Sequence, residues 1–200
     1  EKYGEEFVIE ASGGGFGTAD NTTWKVIFHL ASDSAIRGYA TVGKDDGEIR
    51  DYYTGARVAR NMAEAVQSDV ASLVPGSLII ESGVSFEDPM AAEIGTRDMS
   101  ASDYFAANPG ALLGLAVLTD AILTPKETST LVNEIAEIIS PVAPNASVYL
   151  ALVDTATYNQ MTSSSDSSEK QDIVSQSVTG RGAQAWIEDA EISVAPIEWE

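Results

Sequence analysis

The run from Ile49 to Val74 repeats apolar or small side chains at steps of three and four, and this spacing constrains the fold more than any other part of the sequence. The positions are Tyr52, Gly55, Ala59, Met62, Val66, Val70 and Leu73. Such steps align side chains along one face of an α-helix, while charged and amide side chains fall on the opposite face. The spacing predicts one long amphipathic helix over residues 49–74, ended by Pro75 and Gly76.

The residues before this helix have the composition of β-strands. Short runs rich in β-branched and aromatic residues predict strands at 6–10, 23–30 and 37–42. The glycine-rich run within residues 11–20 predicts a flexible loop between the first two strands. We therefore expect a mobile β-hairpin within residues 6–42.

The residues after the long helix mix strands with a predicted pair of helices. A strand is predicted at 77–84 and a loop at 86–100. Residues 111–123 are apolar nearly all round, which predicts a fully buried helix. Thr124, Pro125 and Glu127 then form a capping-box sequence, which predicts the start of a second helix over residues 125–140.

The C-terminal quarter predicts further β-structure. Strands are expected at 147–153, 173–179 and 183–195, with a hairpin turn at 180–182, a low-complexity loop at 163–170 and an edge strand at 197–200. This order lacks the regular alternation of a doubly wound fold. It predicts the α+β class, with an antiparallel or mixed β-sheet. We expect a single domain over residues 1–200, with a helical or mixed lobe at 77–160.

The charge balance is the second constraint. Thirty-one acidic residues against eleven basic ones give a formal net charge of −20. Such a field repels polyanions, so the sequence predicts no nucleic-acid partner. The acidic residues are spread along the whole chain, which favours adaptation to concentrated salt over a dedicated cation-binding surface. No apolar run reaches the roughly 18 residues of a membrane-spanning helix, so no membrane span is expected.

Few residues offer catalytic chemistry. Cysteine is absent, which excludes disulfides and thiolate nucleophiles. His29 is the only histidine, so any histidine base would have to be this residue, and the competing interpretation is a half-buried strand histidine. Asp120 interrupts the predicted buried helix. A catalytic interpretation pairs it with Glu81 or Asp154, and the competing interpretation places it at a helix end or a subunit contact.

The turn before the long helix concentrates acidic residues. The candidate cation ligands there are Asp45, Asp46, Glu48 and Asp51. Hard oxygen ligands at this density suit Ca²⁺ or Mg²⁺, although their spacing does not match an EF-hand loop. The competing interpretation is an exposed turn whose charges complement the helix dipole. We expect no other cofactor.

Two glycosylation sequons, at Asn21 and Asn145, bear on location. They favour an extracellular or virion protein, and the cytoplasm of a halophile is the alternative.

The scarcity of catalytic groups favours a structural role. We expect a self-assembling subunit of a virion (capsid or tail) or of a cell-surface layer adapted to high salt, with copies of itself or other subunits of the assembly as partners. The order of elements resembles the HK97-type capsid fold, in which a mobile hairpin precedes a long spine helix and a mixed lobe. The resemblance places these parts at 6–42, 49–74 and 77–160. The alternative is a small acid–base enzyme or ligand-binding domain with a pocket near Asp120.

Overall fold

The computed structural model describes residues 2–14, 23–45, 47–86, 91–163 and 182–197. The strands are β1 (Phe7–Gly14), β2 (Thr23–Leu30), β3 (Asp33–Gly43), β4 (Ile49–Asp51), β5 (Leu78–Phe86), β6 (Ala111–Thr119), β7 (Ala146–Leu152), β8 (Gly182–Glu188) and β9 (Glu191–Ile197). The helices are α1 (Tyr53–Leu73), α2 (Ala101–Ala107), α3 (Pro125–Ile139) and α4 (Thr155–Ser163). The strands form one antiparallel and one mixed sheet, which confirms the α+β class.

The smaller sheet contains the N-terminal strands in the order β1-β2-β3-β4, all antiparallel. Strand β2 has the predicted bounds, whereas β1 and β3 are longer than predicted because β1 includes residues 11–14 and β3 begins at Asp33. One face of this sheet buries Phe28, Leu30 and Ala40 against Tyr53 of α1.

Helix α1 begins four residues later than the sequence predicts. Residues 49–51 pair with β3, with Val42 opposite Ile49, because the edge of β3 offers backbone partners before the chain turns into the helix. The first turns of α1 then face the smaller sheet through Tyr53 and Ala56. Later residues, including Val70, pack into the core of the larger sheet. Helix α1 is therefore shared by both sheets.

The larger sheet has the order β5-β6-β7-β8-β9. Strands β6 and β7 are parallel and joined through α3, and the other neighbours are antiparallel. Helices α1 and α3 cover one face, where Leu113, Val117, Val148, Leu150 and Ile135 are each 0% exposed. This face is the main core of the molecule.

The predicted helix at 111–123 is wrong, because residues 111–119 form the second strand of the larger sheet. Leu113 faces α1 and α3, whereas Leu118 packs on the other face with Ala151 and Met161. Both faces of β6 are thus partly covered, and a strand buried on two sides is apolar at nearly every position. The same composition suits a buried helix, so hydrophobicity alone does not separate the two structures.

The second predicted helix is confirmed as α3. Its capping box is present: the Thr124 hydroxyl accepts a hydrogen bond from the Glu127 amide (3.3 Å), and the Glu127 carboxylate accepts one from the Thr124 amide (2.7 Å). The helix ends at Ile139, one residue before the predicted end.

The single strand predicted at 183–195 is a hairpin of two strands. Strands β8 and β9 turn at Asp189 and Ala190, whose φ angles of 51° and 66° are typical of two-residue hairpin turns. The predicted strand at 173–179 lies outside the described residues, as do most of the low-complexity loop and residues 198–200 of the tail. No helix within the described ranges is long and apolar enough to cross a membrane.

Candidate functional site

The three candidate acid–base residues are divided between the two sheets, with His29 in the smaller sheet and Glu81 and Asp120 on or directly after adjacent strands of the larger sheet. His29 is on β2, where its Nδ1 lies 2.8 Å from Glu10 Oε1, and Arg37 Nε donates to Glu10 Oε2 at 2.6 Å. Asp120 is not inside a buried helix, because it follows strand β6 and is half-buried. Glu81 lies on β5, with its backbone paired opposite Ala116 of β6.

Asp154, the other suggested partner of Asp120, caps helix α4. Its carboxylate accepts hydrogen bonds from the Thr157 amide (2.8 Å) and the Thr157 hydroxyl (3.0 Å), and these bonds lower the pKa of Asp154. Within the part of the chain that the structure describes, no hydrogen bond or ion pair joins His29, Asp120 and Asp154. The structure therefore places these residues separately and gives Asp154 a local role in α4.

The predicted cation ligands are Asp45, Asp46, Glu48 and Asp51, of which Asp46 lies outside the described residues. Asp51 accepts hydrogen bonds from Lys2 Nζ (3.0 Å) and the Tyr3 hydroxyl (2.6 Å). Glu48 forms an ion pair with Arg50 at 3.0 Å. No three carboxylate or imidazole groups meet as possible metal ligands among the residues described. Binding of Ca²⁺ or Mg²⁺ at this turn stays a prediction.

Of the two sequon residues, Asn145 is described and Asn21 is not. Asn145 Nδ2 donates to the Pro109 carbonyl at 3.0 Å, and Asn145 Oδ1 accepts from the Asp189 amide at 3.1 Å. A glycan on Nδ2 would replace one of the donor hydrogens that holds this connection. The side chain thus has a structural role next to the β8–β9 turn.

The densest polar cluster lies at the start of α1 and was not found from the sequence. Tyr52, at the N-cap position, provides no side-chain cap. Glu93 provides it instead, because its carboxylate accepts hydrogen bonds from the amides of Thr54 (3.1 Å) and Gly55 (2.5 Å) and from the Tyr104 hydroxyl (2.8 Å). Burial raises the pKa of Glu93 despite these bonds. We term these four residues, Glu93, Thr54, Gly55 and Tyr104, the Glu93 junction.

Two glycines permit the close approach of the Glu93 segment to α1. A Cβ on Gly95 would lie 2.5 Å from Thr54 Oγ1, and a Cβ on Gly55 would lie 2.6 Å from the Tyr104 hydroxyl oxygen. Both distances are below any normal contact, so larger residues would displace the segment. The junction therefore depends on the absence of side chains at these two positions.

The other side of this segment is held by α2. Buried Asn108, which follows α2, accepts a hydrogen bond from the Ile94 amide (2.8 Å) and donates one to the Ile94 carbonyl (2.7 Å). Glu5 adds an ion pair to Arg57 of α1 (2.9 Å) and another to Arg97 (3.2 Å). A helix start attracts anions, but here a carboxylate of the chain itself occupies it. The Glu93 junction therefore connects the start of α1, the segment that contains Glu93, and α2.

A second notable surface is the part of the smaller sheet that α1 does not cover. Side chains at alternate positions of a strand share a face, and so do directly paired residues. The face that buries Phe28 and Leu30 therefore continues along β2 and across to β1, β3 and β4. We term this continuation the distal patch, and its members are Ile9, Trp24, Val26, Val42 and Ile49.

The distal patch exposes large apolar side chains. Ile9 and Ile49 are each 67% exposed and Trp24 is 50% exposed. Trp24 pairs with Val42, and Val42 pairs with Ile49, so three of the members form one row across the sheet. Lys44 Nζ lies 5.3 Å from the centre of the Trp24 ring, within the range of a cation–π contact. The patch is a continuous extension of the core face.

The larger sheet also has a partly open face, on the side opposite α1 and α3. A shallow trough there is lined by Gly83, Gly114, Ala116, Ser147 and Tyr149, among others. Helix α4 covers the neighbouring part of this face through Met161. The side chains that line this trough are mostly small.

Comparisons with known proteins give no family for this chain. No protein-family model matches it, and no curated protein matches it. Among solved structures, the chain is similar to the crystal structure of a DUF5037 family protein from Ruminococcus gnavus ATCC 29149, with 16% sequence identity and a TM-score of 0.49. The similarity covers 96% of this chain and 89% of the other.

Proposed function

We propose that this chain is a structural subunit that self-assembles in concentrated salt, as a component of a virion (capsid or tail) or of a cell-surface layer. The distal patch is the observation that carries the proposal. It exposes a row of apolar side chains on the face that elsewhere forms the core of the smaller sheet. Apolar surface in water is unfavourable, and covering it releases about 25 cal/mol per Å².

The arrangement of the exposed residues supports an interface more than their number does. Single exposed apolar side chains are common on soluble proteins, and fully exposed Ile122 is one of them. A contiguous patch is different, because the largest patch on a monomer is commonly a site of interaction. Trp24, at one end of the row across the sheet, is a residue type enriched in the energetically important part of interfaces.

The charge of the chain explains why such assembly would need salt. Each copy carries a formal net charge of −20, so two copies repel each other in dilute buffer. The screening length falls from about 10 Å at 0.1 M salt to about 3 Å at 1 M. Concentrated salt would therefore remove the repulsion and leave the apolar contact in effect.

Light scattering coupled to size exclusion tests the proposal. We expect a monomer in about 0.1 M salt and a larger species in about 2 M salt, because only the second condition screens the charge. Association should also increase with protein concentration. A monomer at every salt and protein concentration would overturn the proposal.

A matched pair of substitutions ties the association to the patch. Ile49→Ser removes an isoleucine that is 67% exposed within the patch, and Ile122→Ser removes one that is 102% exposed outside it. We expect only Ile49→Ser to abolish the larger species. Equal behaviour of the two variants would show that the patch is not the contact.

The alternative function, a small acid–base enzyme or ligand-binding domain, has one observation in its favour. Asp120 is half-buried just after β6, at the carboxyl end of the parallel pair β6 and β7. Ligands of sheets with parallel strands bind at such ends. If Asp120→Asn abolished a measured turnover without changing stability, this alternative would replace the assembly proposal.

A further inference from the structure

We infer that helix α4 is a movable cover on the open face of the larger sheet, and that it lifts as a unit while the sheet beneath it stays folded. Helix α4 packs over Leu118 of β6 and Ala151 of β7, which are both 0% exposed. The inference does not depend on the proposed self-assembly, because it concerns a single copy of the chain.

The first argument is how few contacts hold α4 in place. Of its nine residues only Met161 is buried. A second anchor is the Tyr158 hydroxyl, which donates a hydrogen bond to the Gly76 carbonyl in the turn between α1 and β5. Helix α2 has seven residues, yet it buries two aromatic side chains. The attachment of α4 is therefore weak because its anchors are few, and its short length is not the cause.

The second argument is that the sequence of α4 contributes little helix stability of its own. Three of its nine residues are threonine, and none of them is charged, so no ion pair between successive turns supports the helix. Threonine loses side-chain freedom in a helix, and an isolated helix shorter than about 12 residues is marginal in water. Helix α3, in contrast, has fifteen residues, a capping box and five buried side chains. Helix α4 is therefore stable only while it is docked.

The third argument is the point at which α4 joins the sheet. Strand β7 ends at Leu152, and the Val153 amide donates a hydrogen bond to the Thr119 carbonyl at 3.0 Å. Helix α4 begins two residues later, at Thr155. The hydrogen bonds of the sheet thus end before the helix begins. Helix α4 can lift about residue 154 without breaking any pairing between strands, as a local opening requires.

The surface that α4 covers adjoins the trough on the same face. Tyr149 lines the trough and also packs against the cluster of Leu118, Ala151 and Met161. When α4 lifts, Leu118 and Ala151 extend the trough along β6 and β7. The open form therefore presents a longer and more apolar surface than the closed form.

The absence of native cysteine permits a direct test, because one introduced thiol then reports on one position. Ala151→Cys and Ala185→Cys are a matched pair, since both alanines are 0% exposed and lie in neighbouring strands of the larger sheet. Ala151 lies beneath α4, whereas Ala185 belongs to the core on the other face. At low protein concentration, a small thiol reagent should label Ala151→Cys at least about tenfold faster than Ala185→Cys.

The dependence of labelling on urea separates a lifting helix from general destabilisation. Lifting α4 exposes little surface, so the labelling rate of Ala151→Cys should change little in low urea. Labelling of Ala185→Cys requires unfolding of the core and should rise steeply with urea, because the slope follows the surface exposed. Equal labelling rates, or the same steep urea dependence for both variants, would overturn the inference.

Hydrogen exchange of the unmodified chain tests the inference without any substitution. After correction for intrinsic rates, the amides of residues 158–161 should exchange at least about tenfold faster than the Leu150 amide, through one common opening. Protection of these amides equal to that of Leu150 would show that α4 does not lift separately from the sheet.

Discussion

The two sheets differ in how completely their core faces are covered. In the larger sheet, α1 and α3 cover one face along its length, and the side chains between them are 0% exposed, as for Leu113 and Leu150. In the smaller sheet, α1 covers only one end, where Phe28 is 8% exposed and Leu30 is 3% exposed. Beyond that end the same face exposes Trp24 to 50%.

The two faces therefore contribute to different properties. The covered face contributes to the stability of the monomer, and the open face is available for contact with another molecule. A face covered by helices from its own chain contributes to the free energy of folding of the monomer. A face left open contributes little to that free energy and stays available to another molecule. We therefore expect substitutions in the larger sheet to change stability and substitutions in the distal patch to change association.

The largest expected loss of stability comes from a substitution in the covered face of the larger sheet. Leu113→Ala leaves a cavity at a side chain that is 0% exposed, which costs about 3 kcal/mol of unfolding free energy. Leu112→Ala, in the same strand but 39% exposed on the other face, should cost less than about 1 kcal/mol. Urea denaturation of both variants measures the contrast, and equal losses would contradict the assignment of the core face.

The next largest loss of stability is expected at the Glu93 junction. Gly95→Ala places a methyl group 2.5 Å from Thr54 Oγ1 and should cost about 1 to 3 kcal/mol of unfolding free energy. Gly110→Ala is the matched control, because a Cβ there meets no atom within 4 Å. Thermal denaturation compares the two. A Gly95→Ala variant as stable as the control would mean that the segment docks less tightly than described.

A smaller effect on stability should depend on pH through the protonation of Glu93. Burial raises the pKa of this carboxyl above its ordinary value of 4.5, so the folded state binds its proton more tightly than the unfolded state does. The stabilisation from that proton is present below pH 4.5 and is lost as the pH rises through the folded pKa. Glu93→Gln lacks this dependence.

The measurement is the unfolding free energy of both proteins across this pH range. The stability of the unmodified chain relative to Glu93→Gln should fall as the pH rises. The comparison cancels the contribution of acidic groups that do not interact with Glu93, and the charge of Asp51 is part of what raises the Glu93 pKa. A difference that is constant with pH would show that Glu93 titrates at its ordinary value.

The smallest expected effect on stability belongs to the open face. Ile49→Ser, at a residue 67% exposed, should change the unfolding free energy of the monomer by no more than about 0.5 kcal/mol. Denaturation at low protein concentration and low salt measures it. A loss comparable to that of Leu113→Ala would mean that the patch belongs to the core of the monomer.

Sequence patterns correctly predicted the elements that are determined by residues close together in the chain. The capping box at Thr124 and Glu127 located the start of α3, and the β-branched run of β2 located both ends of that strand. The prediction of a helix at residues 111–119 failed because a strand that is covered on both faces shows no hydrophobic period. Leu112 and Leu113 point to opposite faces, yet both are leucine.

The sites were harder to predict because they depend on contacts between distant residues. Glu93 lies in a stretch without hydrophobic period, and nothing near it marks it as a cap for α1. One indication was present: position 52, before α1, is tyrosine, whereas helix caps are commonly Ser, Thr, Asp or Asn. The distal patch was missed for the same reason, since Trp24, Val42 and Ile49 form one row only in the register of the strands.

The remote cap of α1 has a consequence for the order of folding. The Gly55 amide donates its hydrogen bond to Glu93, a residue 38 positions later in the chain. The first turn of α1 therefore cannot be completed until β5 and the 91–96 segment have docked, whereas the middle of the helix can form with the larger sheet. We expect the amides of Thr54 and Gly55 to exchange with solvent hydrogen through a local opening that leaves Val70 protected.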